Sequence, residues 1–173
     1  MEPVTLIALQ NLFKRLGERF SQPAIIYLLG GSALCLLGSP RETLDIDYSL
    51  ESDNPNLHAV LNQLAMELNL DLEAVPLAEF IPLPPETEHR RRFIGRFSQV
   101  DVYIFDLYSL ALSKIARGFE SDLEDVQFLL TKGFINWTEL ECHFENILPR
   151  VSRADINPKE FLSYFDTLKK RQI

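Results

Sequence analysis

Leu6, Leu9, Phe13, Leu16 and Phe20 recur at helical spacing, with Lys14, Arg15, Glu18 and Arg19 set among them. That period puts the apolar side chains on one stripe, so residues 4 to 20 are expected as an amphipathic helix, ended by Ser21-Gln22-Pro23. The pattern then changes. Residues 24 to 29 are a short continuous apolar run rich in isoleucine, which reads as a buried strand. Gly30-Gly31-Ser32 breaks that run, and residues 33 to 37 read as a short helix beginning at Ser32. Gly38-Ser39-Pro40 signals a turn, after which residues 44 to 50 return as a second strand. Asn54-Pro55 opens a helix to about residue 68, with Leu57, Val60, Leu61, Leu64 and Leu68 on its buried face. Residues 70 to 75 are expected as a third strand. Pro76, Pro82, Pro84 and Pro85 make residues 76 to 89 mostly loop. Val100, Val102 and Ile104 alternate as a further strand, paired with residues 92 to 97.

Beyond residue 105 the apolar spacing is helical throughout. Leu107, Leu110, Ala111 and Ile115 make one stripe, and Leu123, Val126 and Leu130 a second. Leu140, Phe144, Ile147 and Leu148 make a third, and Phe161, Tyr164, Phe165 and Leu168 a fourth. The organisation expected is an α/β (α+β) core over residues 1–105, with a short mixed β-sheet flanked by helices. A C-terminal helical part over residues 106–173 follows it, packed on the core.

Charge and composition narrow the function. The chain has 173 residues, 46% hydrophobic, and a formal net charge of −8. That balance argues against broad electrostatic binding to nucleic acid. Arg90-Arg91-Arg92, followed by Arg96, is the one dense basic cluster, read as a solvated run beside the proline-rich loop in preference to an RNA or nucleotide guide. No apolar run approaches the ~20 residues that span a bilayer, and no signal peptide is recognised, so a cytoplasmic location with no membrane partner is expected. Cys35 and Cys142 lack metal-ligand spacing and are expected as buried, reduced thiols. His58, His89 and His143 are scattered and read as surface or packing residues; Trp137 reads as core.

The chemistry concentrates between residues 30 and 47. Side chains at i and i+2 of a strand share a face, so Asp45 and Asp47 point the same way and Ile46 points away. Paired carboxylates repel one another without a cation, and they suit two Mg²⁺ ions that neutralise triphosphate charge and activate a hydroxyl. Gly30 and Gly31 have no Cβ and let backbone approach a phosphate, while Ser32 is placed to contact that phosphate or cap the helix. Arg41 and Thr43 are placed to contact phosphate or brace the loop. Taken alone, the Gly-Gly turn is read as structural and the Asp-X-Asp strand as a solvated edge; their order along one chain makes the combination specific. The third carboxylate is assigned first to Asp71, with Glu73 two residues on and Asp101 as runner-up.

These residues resemble the DNA polymerase β-like nucleotidyltransferase superfamily, whose pattern is an apolar strand, Gly-Gly or Gly-Ser, about a dozen residues, then Asp-apolar-Asp. Leu28 to Ser32 followed by Asp45-Ile46-Asp47 matches it. Gly31 to Leu34, Arg41 to Asp47, Leu112 to Gly118 and Asp122 to Val126 are similar to the abortive-infection nucleotidyltransferase toxins and their prokaryotic relatives. The resemblance implies transfer of a nucleoside monophosphate from an NTP to a tRNA end or a protein hydroxyl, in a toxin–antitoxin setting with a cognate antitoxin. It also implies that Lys114 contacts phosphate, supported by an aspartate of the 122–125 segment. On a helical projection Lys114 falls about 20° from Leu107, on the apolar face, where an ammonium needs an anionic partner. A structural ion pair to Asp122 or Asp125, joining the helical part to the sheet, is the plainer alternative. The rival function is a catalytically degenerate nucleotide-binding or interaction module of the same fold.

Overall fold

The computed structural model describes residues 2–77 and 81–172. The chain forms two compact units, Met1–Val75 with Arg91–Phe105, and Pro76–Arg90 with Asp106–Ile173. The expected 76–89 loop thus groups with the helices, although residues 78–80 lie outside the described residues.

In the first unit, α1 (Leu6–Arg19), β1 (Ala24–Leu28), α2 (Gly30–Leu36), β2 (Asp45–Leu50), α3 (Pro55–Leu68), β3 (Asp71–Ala74), β4 (Arg92–Phe97) and β5 (Val100–Ile104) follow in order. The strands form one mixed sheet in the order β3-β2-β1-β5-β4. β1 runs antiparallel to β2 and parallel to β5, and β2 runs parallel to β3. One face is apolar: Ile26, Leu28, Ile46, Tyr48, Val102 and Ile104 are all buried there. Phe13 of α1 meets Phe97 at 5.5 Å between ring centroids, and Tyr48 Oη lies 2.6 Å from His58 Nδ1 of α3, so α1 and α3 cover this face. Each fully buried Leu or Ile contributes roughly 1.5–3 kcal/mol. The register Leu28↔Tyr48, with Asp47↔Glu73, puts Asp45, Asp47, Asp71 and Glu73 on the opposite face.

Local chemistry sets the boundaries. Thr5 Oγ1 accepts from Ala8 N–H at the start of α1, and Asn54 Oδ1 accepts from Leu57 N–H at the start of α3. Leu44, expected as the first residue of the second strand, precedes β2 and is 57% exposed. α2 begins at Gly30 and not at Ser32, because Leu29 is extended and its carbonyl closes the first turn with Ala33 N–H.

The second unit contains α4 (Leu107–Arg117), α5 (Glu120–Thr131), α6 (Trp137–Ile147) and α7 (Pro158–Lys170), matching the four apolar stripes. Phe144 of α6 stacks on Phe165 of α7 at 3.8 Å, and Trp137 stacks on Phe165 at 5.0 Å. Asp106 caps α4 and is fully buried, and it takes both Arg90 Nε (2.9 Å) and Arg90 Nη2 (2.8 Å). That pair, with Arg150 Nη2 donating to the Leu83 carbonyl at 3.4 Å, ties the 76–90 segment to the helices. Both cysteines are free, but Cys142 is exposed and Cys35 half-buried, against the expectation of two buried thiols. Cys142 lies two residues from buried Leu140, about 200° around α6, and so faces water. Among the described residues, no helix is long and apolar enough to cross a membrane.

Candidate metal and nucleotide site

The turn after β1 is built around Asp47. Leu29 N–H donates to the Asp47 carbonyl at 3.0 Å, which carries the β1–β2 pairing one residue past the strand. Gly30 then takes φ +56°, the left-handed region, and a Cβ there would collide with the Asp47 carboxylate. Glycine is required at 30 on both counts. Gly31 is required for another neighbour: a Cβ on it would stand 2.6 Å from Thr43 Cβ and Oγ1. Thr43 Oγ1 in turn donates toward Asp45, 3.0 Å from Oδ1 and 3.3 Å from the carbonyl oxygen. Ser32 is fully buried, and its hydroxyl donates to the Leu29 carbonyl at 2.9 Å. Its position is therefore inside the turn, bracing it.

Among the described residues, Asp45, Asp47 and Glu73 each offer one oxygen, and these atoms lie within 4.8 Å of one another. The strand register places Asp47 opposite Glu73 across the parallel β2–β3 pair. Asp71 stands opposite Asp45 on the same sheet face but is not in this group. Asp101 is on β5, separated from β2 by β1, and is held by Arg96 Nε and Nη2 at 2.7 and 2.9 Å. That guanidinium also holds the Asp101 carboxyl below its usual range. Three convergent carboxylates with oxygen-only donors are a donor set for a hard divalent cation, which relieves their mutual repulsion.

Arg41 lies exposed on the loop before β2, where its backbone N–H donates to Ser39 Oγ. Lys114 belongs to the helical unit, 6% exposed, with Nζ 2.7 Å from Asp125 Oδ2 and 3.6 Å from Asp122 Oδ1. Arg117 also grips Asp122, at 2.7 and 3.0 Å. Both aspartates named from the sequence are thus ion-paired to Lys114. The pairs join α4 to α5 and not helix to sheet. Nor is the arginine run merely solvated. Arg90 holds Asp106, while Arg91 donates to Tyr27 Oη at 3.1 Å and lies 4.1 Å over the Tyr103 ring. Thr43 as a brace was open to sequence reasoning as one of two roles; its link to Asp45, an i to i+2 contact, is what geometry adds.

A mixed sheet with a Gly-Gly turn after one strand and a carboxylate pair on its antiparallel neighbour defines a nucleotidyltransferase-like fold. The chain is similar to the crystal structure of an antigenic nucleotidyltransferase-like protein from Paracoccidioides brasiliensis, with a TM-score of 0.52 and 17% sequence identity. The match covers 88% of this chain and 94% of that one, and at this identity it speaks for the fold. The chain belongs to the family described as nucleotidyltransferase of unknown function (DUF6036), which it matches over residues 4–172. No curated protein matches it.

Proposed function

We propose that this protein is a Mg²⁺-dependent nucleotidyltransferase that moves a nucleoside monophosphate from an NTP to a hydroxyl. The observation that supports this reading is the convergence of Asp45, Asp47 and Glu73 beside the Gly30 turn. Bound there, Mg²⁺ would neutralise phosphate charge and favour the ionised acceptor hydroxyl. Asp45 and Asp47 from β2 and Glu73 from β3 would hold it, so Glu73 replaces Asp71 as the third carboxylate in this reading. The Gly30–Gly31 backbone and Arg41 would meet the triphosphate, and resemblance to the toxins adds Lys114. In the reaction, the acceptor oxygen bonds to the α-phosphorus and the bond from that phosphorus to the α–β bridging oxygen breaks. Pyrophosphate leaves with the electron pair, and the hydroxyl proton passes to water.

An RNA or protein acceptor, and a cognate antitoxin, follow from the same resemblance and belong to the proposal. The test has two stages. Calorimetry with each NTP should show Mg²⁺-dependent binding that Asp45→Asn with Asp47→Asn abolishes; equal binding by the double variant removes the metal-site reading. Incubation with labelled NTPs and total cell RNA or protein should then label one of the two. Tight binding without incorporation identifies a degenerate binding module instead.

A further inference from the structure

Thr43 is neither a carboxylate nor part of the sheet, yet two features of the site converge on it. Its Oγ1 lies 3.0 Å from Asp45 Oδ1, in donor geometry, and the residue it leans on is Gly31, whose missing side chain leaves the room it occupies. Its carbonyl accepts from Val4 N–H at 2.8 Å, and Val4 is buried, so the backbone at 43 is anchored independently of the hydroxyl.

Asp45 needs such a contact. It is exposed at the first position of β2, and Asp47 and Glu73 offer oxygens close by. Mutual repulsion drives an untethered carboxylate at that position outward into water. A hydroxyl donating to Oδ1 holds the group inward and leaves Oδ2 and the remaining lone pairs available to a cation. Fixing a ligand's orientation by a neighbouring hydrogen bond is the ordinary means by which proteins raise metal affinity. From this geometry we infer that Thr43 is the positioning residue of the metal site, acting through Asp45, and that Gly31 is glycine in order to admit it. The inference rests on the proposed metal-binding reading of Asp45, Asp47 and Glu73. It moves Thr43 from contacting phosphate to orienting a ligand.

The experiment is Mn²⁺ titration of the full chain by calorimetry, without nucleotide. Thr43→Val keeps the shape and removes the donor, and it should weaken Mn²⁺ binding about tenfold or more while the circular dichroism melt stays at the wild-type temperature. Thr43→Ser restores the donor and should return the affinity to within about threefold of wild type. Gly31→Ala, which drives Thr43 off Asp45, should weaken binding as Thr43→Val does. Wild-type affinity in Thr43→Val, alongside loss in Asp45→Asn, overturns the positioning role and leaves the metal site standing. Equal loss in Thr43→Ser and Thr43→Val overturns it too, since the methyl and not the hydroxyl would then matter. A wild-type chain that takes up no Mn²⁺ removes the metal site, and the positioning role with it.

Discussion

The Asp47 carboxylate occupies the space where a side chain on Gly30 would begin. The turn after β1 and the Asp47 side chain on β2 are therefore packed against one another. Substitution at 30 tests this directly. Gly30→Ala meets both a left-handed backbone, which costs an L-residue about 1–2 kcal/mol, and a collision with Asp47. Gly38→Ala meets the first alone, since φ is +86° and nothing lies within 4 Å of its Cβ direction. Urea unfolding should show the larger loss for Gly30→Ala, and Mn²⁺ titration should show weakened binding for that variant only.

Glu73 and Asp71 share a strand and a sheet face, and only Glu73 joins the group with Asp45 and Asp47. Glu73→Gln is expected to weaken Mn²⁺ binding at least about tenfold. Asp71→Asn, an exposed change outside the group, is expected to alter it by less than about threefold. Calorimetry on the two single variants, matched in protein concentration and ionic strength, reads the difference.

Lys114 is buried between two aspartates that are themselves 0% and 2% exposed. Lys114→Met keeps an unbranched apolar stem and removes the ammonium that sits 2.7 Å from Asp125. Breaking a buried pair from one side destabilises by about 3–5 kcal/mol, whereas replacing Asp125 as well, as Lys114→Met with Asp125→Leu, recovers much of that loss. Denaturation midpoints of the single and double variants check this. NTP titration of the folded double variant then reads the phosphate role separately: loss of NTP binding supports it, and wild-type binding removes it.

His143 packs its ring on Tyr108 at 5.0 Å, and burial first and Arg90 second lower its pKa from 6.5. The folded chain therefore binds the His143 proton less readily than the unfolded chain. Its contribution is fully present above pH 6.5 and is lost as the pH falls through the depressed folded value. Tyr108, pushed up to about 12 chiefly by burial, stays protonated across that window. Glu139, lowered chiefly by its hydrogen bond to Tyr108, titrates below 4.5. Urea midpoints between pH 7 and pH 5 should fall for the wild type and fall less for His143→Gln.

The alternation of Leu44 to Tyr48 was enough to put Asp45 and Asp47 on one face, and the glycines before them marked the turn. Period and punctuation are local properties, and these were legible. Which carboxylate joins Asp45 and Asp47 was not, because Asp71 and Glu73 satisfy the same alternation and each stands opposite one of the pair, so that only the long-range placement of their oxygens separates them. The place of residues 76–90 was hidden for the same reason: Arg90 finds Asp106 sixteen positions away, and nothing in a proline-rich run announces it. Lys114 was legible as a buried cation, since an ammonium on an apolar stripe demands an anion. That both Asp125 and Asp122 answer it needed the helix packing.

β3 is four residues long and sits at the end of the sheet, hydrogen-bonded among the described residues to β2 alone. Short terminal strands open first in local fluctuations. Glu73 thus sits on an edge strand, while Asp45 and Asp47 belong to β2, which is paired on both sides. A cation gripped by all three would act as a latch on that edge strand, so occupancy of the site would be written into the slow amide exchange of residues 71–74 before any turnover is measured.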